Sequence, residues 1–345
     1  MDSKKISEKE KKMENPEMLV ALGFMLVSSV AVVHQGSIRC LKDAQCKKKH
    51  QVLSMAEAAT TPLVGSVVLF LLYVALKLVP KMYLLAVLSL YLSVVSVFAL
   101  GSFWKPLIGA NVVVGMSCIG VGAIYFWTKN WVLNNVLAVS IGVVAIEQLH
   151  LGFRSAAILL VGLFFYDIFW VFGTDVMVSV ATGIDGPIKI VFPQNFFSSD
   201  HSKKSLLGLG DIVIPGFYIA QSLCFSVLGG HGRNRGRFYF HVALVAYVAS
   251  LVNTFLVMLV FKHAQPALLY IVPWLLISTF AAAAIKGDVG ALLSYSAAVE
   301  EPVSNTVDET NKKEEEGDLS SLVVDAFREL FGCLPEGDLS SKKKN

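Results

Sequence analysis

The feature that most constrains this chain is the long apolar stretch from Met18 to Ile285, which carries only eight of the 26 acidic residues. Hydrophobic residues make up 55% of the 345-residue chain and charged residues only 16%, whereas soluble domains average about 25% charged. The net charge of +3 is too small to indicate nucleic-acid binding. The five cysteines form no CxxC pair. The sequence therefore predicts an all-α polytopic membrane protein.

Nine apolar runs are long enough to cross a membrane as helices, since a span needs about 20 residues. The first begins after a leader containing both acids and lysines, unlike the basic leader of a signal peptide, and we interpret it as a retained anchor. The predicted spans are roughly 18–34, 62–80, 82–104, 106–128, 131–152, 155–177, 206–229, 238–261 and 265–285.

The basic residues predict the orientation of the chain. Nine spans place the termini on opposite sides, and the clusters 47–49 and 233–237 then share a side with the C-terminus. The positive-inside rule makes that side cytosolic and the N-terminus lumenal. The chain ends Lys342-Lys343-Lys344-Asn345, which fits a di-lysine retrieval signal for the endoplasmic reticulum. A solubilising lysine run remains the alternative.

Two aspartates in neighbouring predicted spans are the candidate catalytic groups. Asp167 lies among aromatic residues in span six and Asp211 lies near the start of span seven, and neither has Lys or Arg within a helical turn. Ionisable groups in a span are costly and indicate function. Two such carboxyl groups lower their cost by meeting and sharing one proton, which is the arrangement of aspartic proteases.

Two further motifs flank this pair. Gly208 and Gly210 lack a Cβ and would let a substrate backbone approach Asp211, although glycines also ease helix packing in lipid. The run Gln265-Pro266-Ala267-Leu268 opens the last span. It is either an ordinary helix start, to which proline is suited, or a rigid corner that contacts substrate or helps to place Asp211.

The motifs Tyr166-Asp167, Gly208-Leu209-Gly210-Asp211 and Pro266-Ala267-Leu268 resemble the signature of the GxGD intramembrane aspartyl proteases. Their flanks resemble the signal peptide peptidase family more than the related presenilins. The resemblance covers about residues 131–285. It implies Asp167 and Asp211 as catalytic residues, with active-site support from Tyr166, Gly208, Leu209, Gly210, Gln265, Pro266, Ala267 and Leu268.

The resemblance also implies hydrolysis of peptide bonds inside membrane spans, with signal-peptide remnants and type II segments (N-terminus cytosolic) as substrates. No metal or organic cofactor is implied, and the expected partners are transmembrane peptides and lipid, with a homo-oligomer left open. The localisation expected is the endoplasmic reticulum membrane. A proton- or cation-coupled transporter is the main rival, since carboxylates at mid-membrane also carry ions. A second rival is an inactive relative that acts as a binding scaffold.

The chain accordingly divides into four predicted parts. A charged lumenal segment, 1–17, precedes helices one to five at 18–152, and the catalytic helices six to nine follow at 155–285 with a lumenal loop at 183–205. The acidic cytosolic tail, 286–345, contains a short amphipathic helix near 319–331. Within the loop, the segment 187–193 is interpreted as an edge strand that binds unwound substrate by strand addition, with a plain lumenal loop as the alternative. Glu147, near a span end, is interpreted as structural.

Overall fold

The computed structural model describes residues 16–46, 52–53, 55–78, 80–108, 112–173, 186–193, 204–229, 236–261 and 266–295. Backbone polar groups have no water to bond in a bilayer, so apolar runs of this length fold as helices. The helices are α1 Pro16–Gln45, α2 Met55–Leu78, α3 Lys81–Ile108, α4 Val112–Thr128, α5 Trp131–Gln148, α6 Phe153–Gly173, α7 Gly210–Leu228, α8 Phe238–Phe261, α9 Leu268–Lys286 and α10 Val289–Ser294. The strands are β1 Val52–Leu53, β2 His150–Leu151, β3 Lys189–Pro193 and β4 Lys204–Gly208.

Eight of these helices are long and apolar enough to cross a membrane: α1 to α3 and α5 to α9. The prediction of an all-α polytopic membrane protein is confirmed. The fourth predicted span corresponds to α4, an apolar helix of 17 residues that is shorter than the other eight. Among the described residues there are thus eight candidate spans, and the ninth span remains a prediction.

The first helix extends well beyond the predicted span. The apolar run ends near residue 34, but α1 continues to Gln45. Its last three turns bury Ser37, Cys40 and Asp43, the last of which was predicted to lie between helices. The extension beyond the apolar run is accompanied by contacts of Arg39 with two other helices.

The contacts of Arg39 join its side chain to α3 and α5. Its Nη1 lies 3.4 Å from Glu147 Oε2 on α5, and its Nη2 donates to the carbonyl of Phe103 on α3 at 3.0 Å. The guanidinium also lies 4.4 Å from the centre of the Phe103 ring. Arg39 and Glu147 therefore connect three helices, which agrees with the structural role predicted for Glu147.

The seventh span begins later than its sequence predicts. Residues 206–208 are apolar or glycine and were assigned to the span, but they belong to β4, and α7 begins at Gly210. Strand β4 pairs antiparallel with β3, with Val191 opposite Leu206 and Lys189 opposite Gly208. Pairing with β3 satisfies backbone groups that a helix would otherwise have to satisfy. The strand predicted at 187–193 is confirmed as β3.

The other edge of β3 is bonded to side chains of α5. Asn135 accepts from the N–H of Val191 at 2.8 Å and donates to its carbonyl at 2.7 Å. Asn134 donates to the carbonyl of Lys189 at 2.7 Å. These two side-chain amides take the place of a neighbouring strand, so the sheet is attached to the helical core.

The core forms where α1, α5 and α7 meet. The side chain of Ile146 on α5 is fully buried between Gly36 on α1 and Gly216 on α7. A Cβ at Gly36 would lie 2.7 Å from Ile146 Cβ, and one at Gly216 would lie 2.5 Å from Ile146 Cδ1. Glycines at these positions allow the close helix approach that packing in membranes requires. The contact fixes α7, and with it Asp211, against the centre of the protein.

Several predictions concern residues outside those described. They include most of the N-terminal segment 1–17, the basic clusters 47–49 and 233–235, much of the loop 183–205, Gln265, and the tail from 296 with its predicted helix.

Candidate active site

Asp167 lies on α6, and its carboxyl group is buried with 5% of the residue exposed. Its Oδ2 accepts a hydrogen bond from the backbone N–H of Leu268 at 3.2 Å. Leu268 is the first residue of α9, and the N-cap residue Ala267 provides no side-chain bond to the helix. The first N–H groups of a helix have no partner within it and favour a negative charge nearby. Asp167 thus caps α9 from another helix.

This bond shows that the Pro266-Ala267-Leu268 motif contacts Asp167 through its backbone. The N–H groups of the next residues bond backward, Leu269 to the carbonyl of Pro266 and Tyr270 to that of Ala267. The N–H of Leu268 is directed to Asp167. The motif is therefore a helix start, and the carboxyl group that its described backbone contacts is that of Asp167. The alternative that the motif contacts substrate or helps to place Asp211 stays a prediction.

Asp211 is the second residue of α7, directly after β4. Unlike Asp167 it is partly accessible, and Gly208 and Gly210 on either side of Leu209 are exposed. The carboxyl groups of Asp167 and Asp211 are close enough to interact electrostatically, and α6 packs directly against α7. The structure therefore brings the two predicted acids within electrostatic range of each other.

Among the described residues, the glycines beside Asp211 make no close approach to another helix. A Cβ at Gly208 would lie 3.3 Å from Asp211 Oδ2, so a side chain there would crowd the carboxyl group. A Cβ at Gly210 would meet only Ile214 of its own helix, at 3.8 Å. Since neither position touches a neighbouring helix in the part of the chain that the structure describes, a packing role finds no support there. The glycines keep the surroundings of Asp211 open.

Leu209, between these glycines, anchors the segment. Its side chain is buried, and its Cδ1 lies 3.2 Å from where a Cβ on Gly142 of α5 would stand. Its N–H donates to the carbonyl of Ile188 at 2.9 Å, and its own carbonyl accepts from Val213 at 2.9 Å. Leu209 therefore joins the strand pair to the first turn of α7 immediately before Asp211.

Tyr166 lies on the α2 side of α6. Its ring is 6.3 Å from that of Trp170, and its Cε2 would be 3.7 Å from a Cβ on Gly65. It is close enough to Asp167 to interact with it electrostatically. The structure thus places Tyr166 mainly in the packing between α2 and α6. Gln265, the remaining predicted site residue, lies outside the described residues.

Two polar elements near the site were not predicted. The amides of Asn134 and Asn135 bond to β3, and the hydroxyl of Tyr247 on α8 donates to the backbone carbonyl of Asp211 at 3.3 Å. Adjacent asparagines inside an apolar span are unusual and could have indicated a site from the sequence. Tyrosine is common in membrane helices, so Tyr247 gave no such signal. Among the described residues no group of three or more His, Cys, Asp or Glu could hold a metal ion.

An aspartate pair between packed transmembrane helices, approached by a glycine-flanked turn, defines the class of intramembrane aspartic proteases. Comparison with known proteins places the chain more closely. Residues 107–299, more than half of the chain and including both aspartates, match the family model described as signal peptide peptidase. This protein belongs to the signal peptide peptidase family and is an intramembrane aspartic protease.

Individual relatives agree with this assignment. Mouse signal peptide peptidase is 33% identical over 343 residues, covering 88% of this chain and 89% of the mouse protein. The human protein of that name is 33% identical, covering 80% of this chain and 83% of its own. Intramembrane protease 2 of Caenorhabditis elegans is 46% identical over 54% of this chain, which spans only 42% of that relative. These similarities do not favour the transporter alternative.

Proposed function

We propose that Asp167 and Asp211 are the catalytic pair that hydrolyses peptide bonds within transmembrane substrates. The observation that carries this proposal is that two carboxyl groups on the packed helices α6 and α7 lie within electrostatic range of each other, with Asp211 beside two exposed glycines. Acid–base hydrolysis needs one carboxylate and one protonated carboxyl group. A pair that shares one proton provides both.

The surroundings of Asp167 and Asp211 suggest which of them acts as the base and which as the acid. The N–H of Leu268 and the N-terminus of α9 favour negative charge on Asp167. Asp167 therefore takes a proton from water as the water oxygen adds to the scissile carbonyl carbon. Asp211 holds the shared proton, donates a hydrogen bond to the carbonyl oxygen and assists departure of the amine when the C–N bond breaks. The exposed Gly208 and Gly210 beside it leave room for a substrate backbone.

The substrate backbone is proposed to pair with the outer edge of β4. The sequence suggested the segment 187–193 for this role, but β3 is bonded to β4 on one edge and to Asn134 and Asn135 on the other. The N–H and carbonyl of Val191 are bonded to Asn135 and so point away from β4. In an antiparallel pair, two residues that face each other point these groups either toward each other or both outward. The N–H and carbonyl of Leu206, which faces Val191, therefore point away from β3. Leu206 is 52% exposed. Strand addition at this edge would carry an unwound substrate toward Gly208 and Asp211.

The substrates proposed are signal-peptide remnants and other type II segments in the endoplasmic reticulum membrane. The family membership supports the substrate class, and the terminal Lys342-Lys343-Lys344 run supports the location. The charge distribution supports a lumenal N-terminus and a cytosolic tail.

Cleavage of a type II signal-peptide substrate by purified protein in detergent tests the proposal. Asp167→Asn and Asp211→Asn keep the side-chain shape but remove the acid–base chemistry. Each is expected to lower the rate at least about a hundredfold, since positioned acid–base groups contribute 10²–10⁴. Mass spectrometry of the products should locate the cut within the apolar segment.

Glu57→Gln is the matched control, because Glu57 is an exposed carboxylate at the start of α2. It should cleave at the wild-type rate. Normal cleavage by either aspartate variant would overturn the catalytic assignment. If the wild-type protein transported an ion and cleaved no peptide, the transporter alternative would be favoured instead.

A further inference from the structure

The backbone carbonyl of Asp211 lies at a break in the hydrogen bonding of α7. In a continuous helix this carbonyl would accept from the N–H four residues later. That residue is Pro215, which lies inside α7 and has no N–H. An unsatisfied carbonyl is costly in a membrane. The residue that bears one of the two proposed catalytic carboxyl groups thus lacks the ordinary i+4 donor for its own backbone carbonyl.

Tyr247 of α8 provides that donor. Its hydroxyl donates to the Asp211 carbonyl at 3.3 Å, and its side chain is fully buried. Helix α8 packs against α7. The Tyr247 hydroxyl therefore joins α8 to the first turn of α7, directly behind Asp211.

We propose that Tyr247 is a positioning residue for Asp211. Its hydroxyl replaces the N–H that Pro215 lacks, and thereby fixes the first turn of α7 and the direction of the Asp211 carboxyl group. This inference rests on the proposed catalytic role of Asp211. It assigns to α8, which contributes neither aspartate, a defined contact with the catalytic centre.

A packing role for the Tyr247 ring makes a different prediction. Packing depends on the ring, which Tyr247→Phe retains, whereas positioning depends on the hydroxyl, which Tyr247→Phe removes. The backbone also offers a specific rescue. Pro215→Ala restores an N–H four residues after Asp211, so the helix can satisfy the carbonyl by itself and the tyrosine hydroxyl is no longer required.

The test compares wild type, Tyr247→Phe, Pro215→Ala and the double variant by kcat, KM and thermal unfolding. Tyr247→Phe is expected to lower kcat about tenfold, the effect of losing one hydrogen bond to a buried group, with KM within twofold. In the Pro215→Ala background the same substitution should change kcat less than twofold. Wild-type kcat in Tyr247→Phe, or an equal loss in both backgrounds, would overturn the inference.

Tyr239→Phe is the matched control on the same helix. Tyr239 is also fully buried, and its hydroxyl donates to Asp288 Oδ2 at 2.9 Å. Losing this hydroxyl should lower the unfolding temperature but leave kcat unchanged. If Tyr247→Phe does not fold, the double variant should still fold, because its helical bond is restored. A double variant that also fails to fold would contradict the inference.

Failure of this inference can be told from failure of the proposed function. If Asp211→Asn cleaves normally, the catalytic assignment is wrong and Tyr247 has no catalytic group to position. If Asp211→Asn is inactive while Tyr247→Phe is fully active, the catalytic assignment stands and only the role of Tyr247 is wrong.

Discussion

At the scale of single residues, the environment of Asp167 explains how an acidic side chain is accommodated inside a membrane protein. The buried carboxyl group accepts the N–H of Leu268, a donor that the start of α9 leaves without a helical partner. One contact therefore satisfies both a buried acid and an orphan N–H. The Pro266-Ala267-Leu268 motif matters through this backbone group rather than through its side chains.

Replacement of Leu268 by its α-hydroxy analogue tests that contact, because an ester oxygen replaces the N–H while the side chain is kept. Cleavage should fall about tenfold or more, since hydrogen bonds to charged groups contribute about 1.5–3 kcal/mol. The same replacement at Leu269, whose N–H bonds to the carbonyl of Pro266 at 3.3 Å, is the control. An equal loss at both positions would mean that the helix start, and not the bond to Asp167, matters.

Some of these residues could be recognised from the sequence and others could not. Asp167 and Asp211 stood out because an uncompensated acid in an apolar run is rare. The role of Tyr247 depends on which helix packs behind Pro215, and spacing along the chain contains no such information. The partner of Leu268 was missed for the same reason, since it lies 101 positions away.

At the scale of helices and strands, the pair β3 and β4 determines where α7 begins. The sequence assigned 206–208 to the seventh span because these residues are apolar or glycine. In the structure they form β4, since one edge of β3 is free to pair with them while its other edge is bonded to Asn134 and Asn135. Hydrophobicity alone could not distinguish this strand from a turn of helix.

Leu206→Pro tests the outer edge of β4. Proline removes the N–H that points away from β3 and is tolerated in edge strands. The strand pair should therefore remain intact while an added substrate strand loses a donor. We expect the rate of cleavage to fall severalfold, with unfolding temperature little changed.

Leu206→Ala is the control, because it shortens the same side chain and keeps the N–H. It should cleave nearer the wild-type rate than Leu206→Pro does. Equal rates for the two variants would argue against strand addition at this edge.

The contacts of Arg39 accompany the extension of α1 beyond its apolar run. Arg39→Ala should destabilise the protein by about 1–3 kcal/mol, since it removes a charged hydrogen bond to Phe103 together with the ion pair to Glu147. Glu147→Gln should cost less, because it leaves the Phe103 contacts in place. Thermal unfolding in detergent measures both. Greater destabilisation by Glu147→Gln would contradict this account.

At the scale of the whole molecule, the spans were predictable and their arrangement was not. Every predicted span overlaps an apolar helix, because hydrophobic length is a local property. The central position of α1, between α5 and α7, depends on side-chain fit around Ile146. Such contacts between distant segments cannot be inferred from hydropathy.

The predicted orientation is tested with an epitope tag after Asn345 in sealed microsomes. A cytosolic tail should be digested by added protease without detergent, since the compact basic clusters share its side. A tag after Met1 should be digested only when detergent opens the vesicles. The reverse pattern would show that the orientation is inverted, without affecting the chemistry of the aspartate pair.

The pH profile of kcat/KM tests most directly whether Asp167 and Asp211 act as one pair that holds one proton. At low pH both carboxyl groups are protonated and no base remains, whereas at high pH both are ionised and no acid remains. The account predicts a bell-shaped profile in single-turnover cleavage by purified wild-type protein. A rate that is constant across the range, or that falls on one side only while the fold is retained, would contradict it.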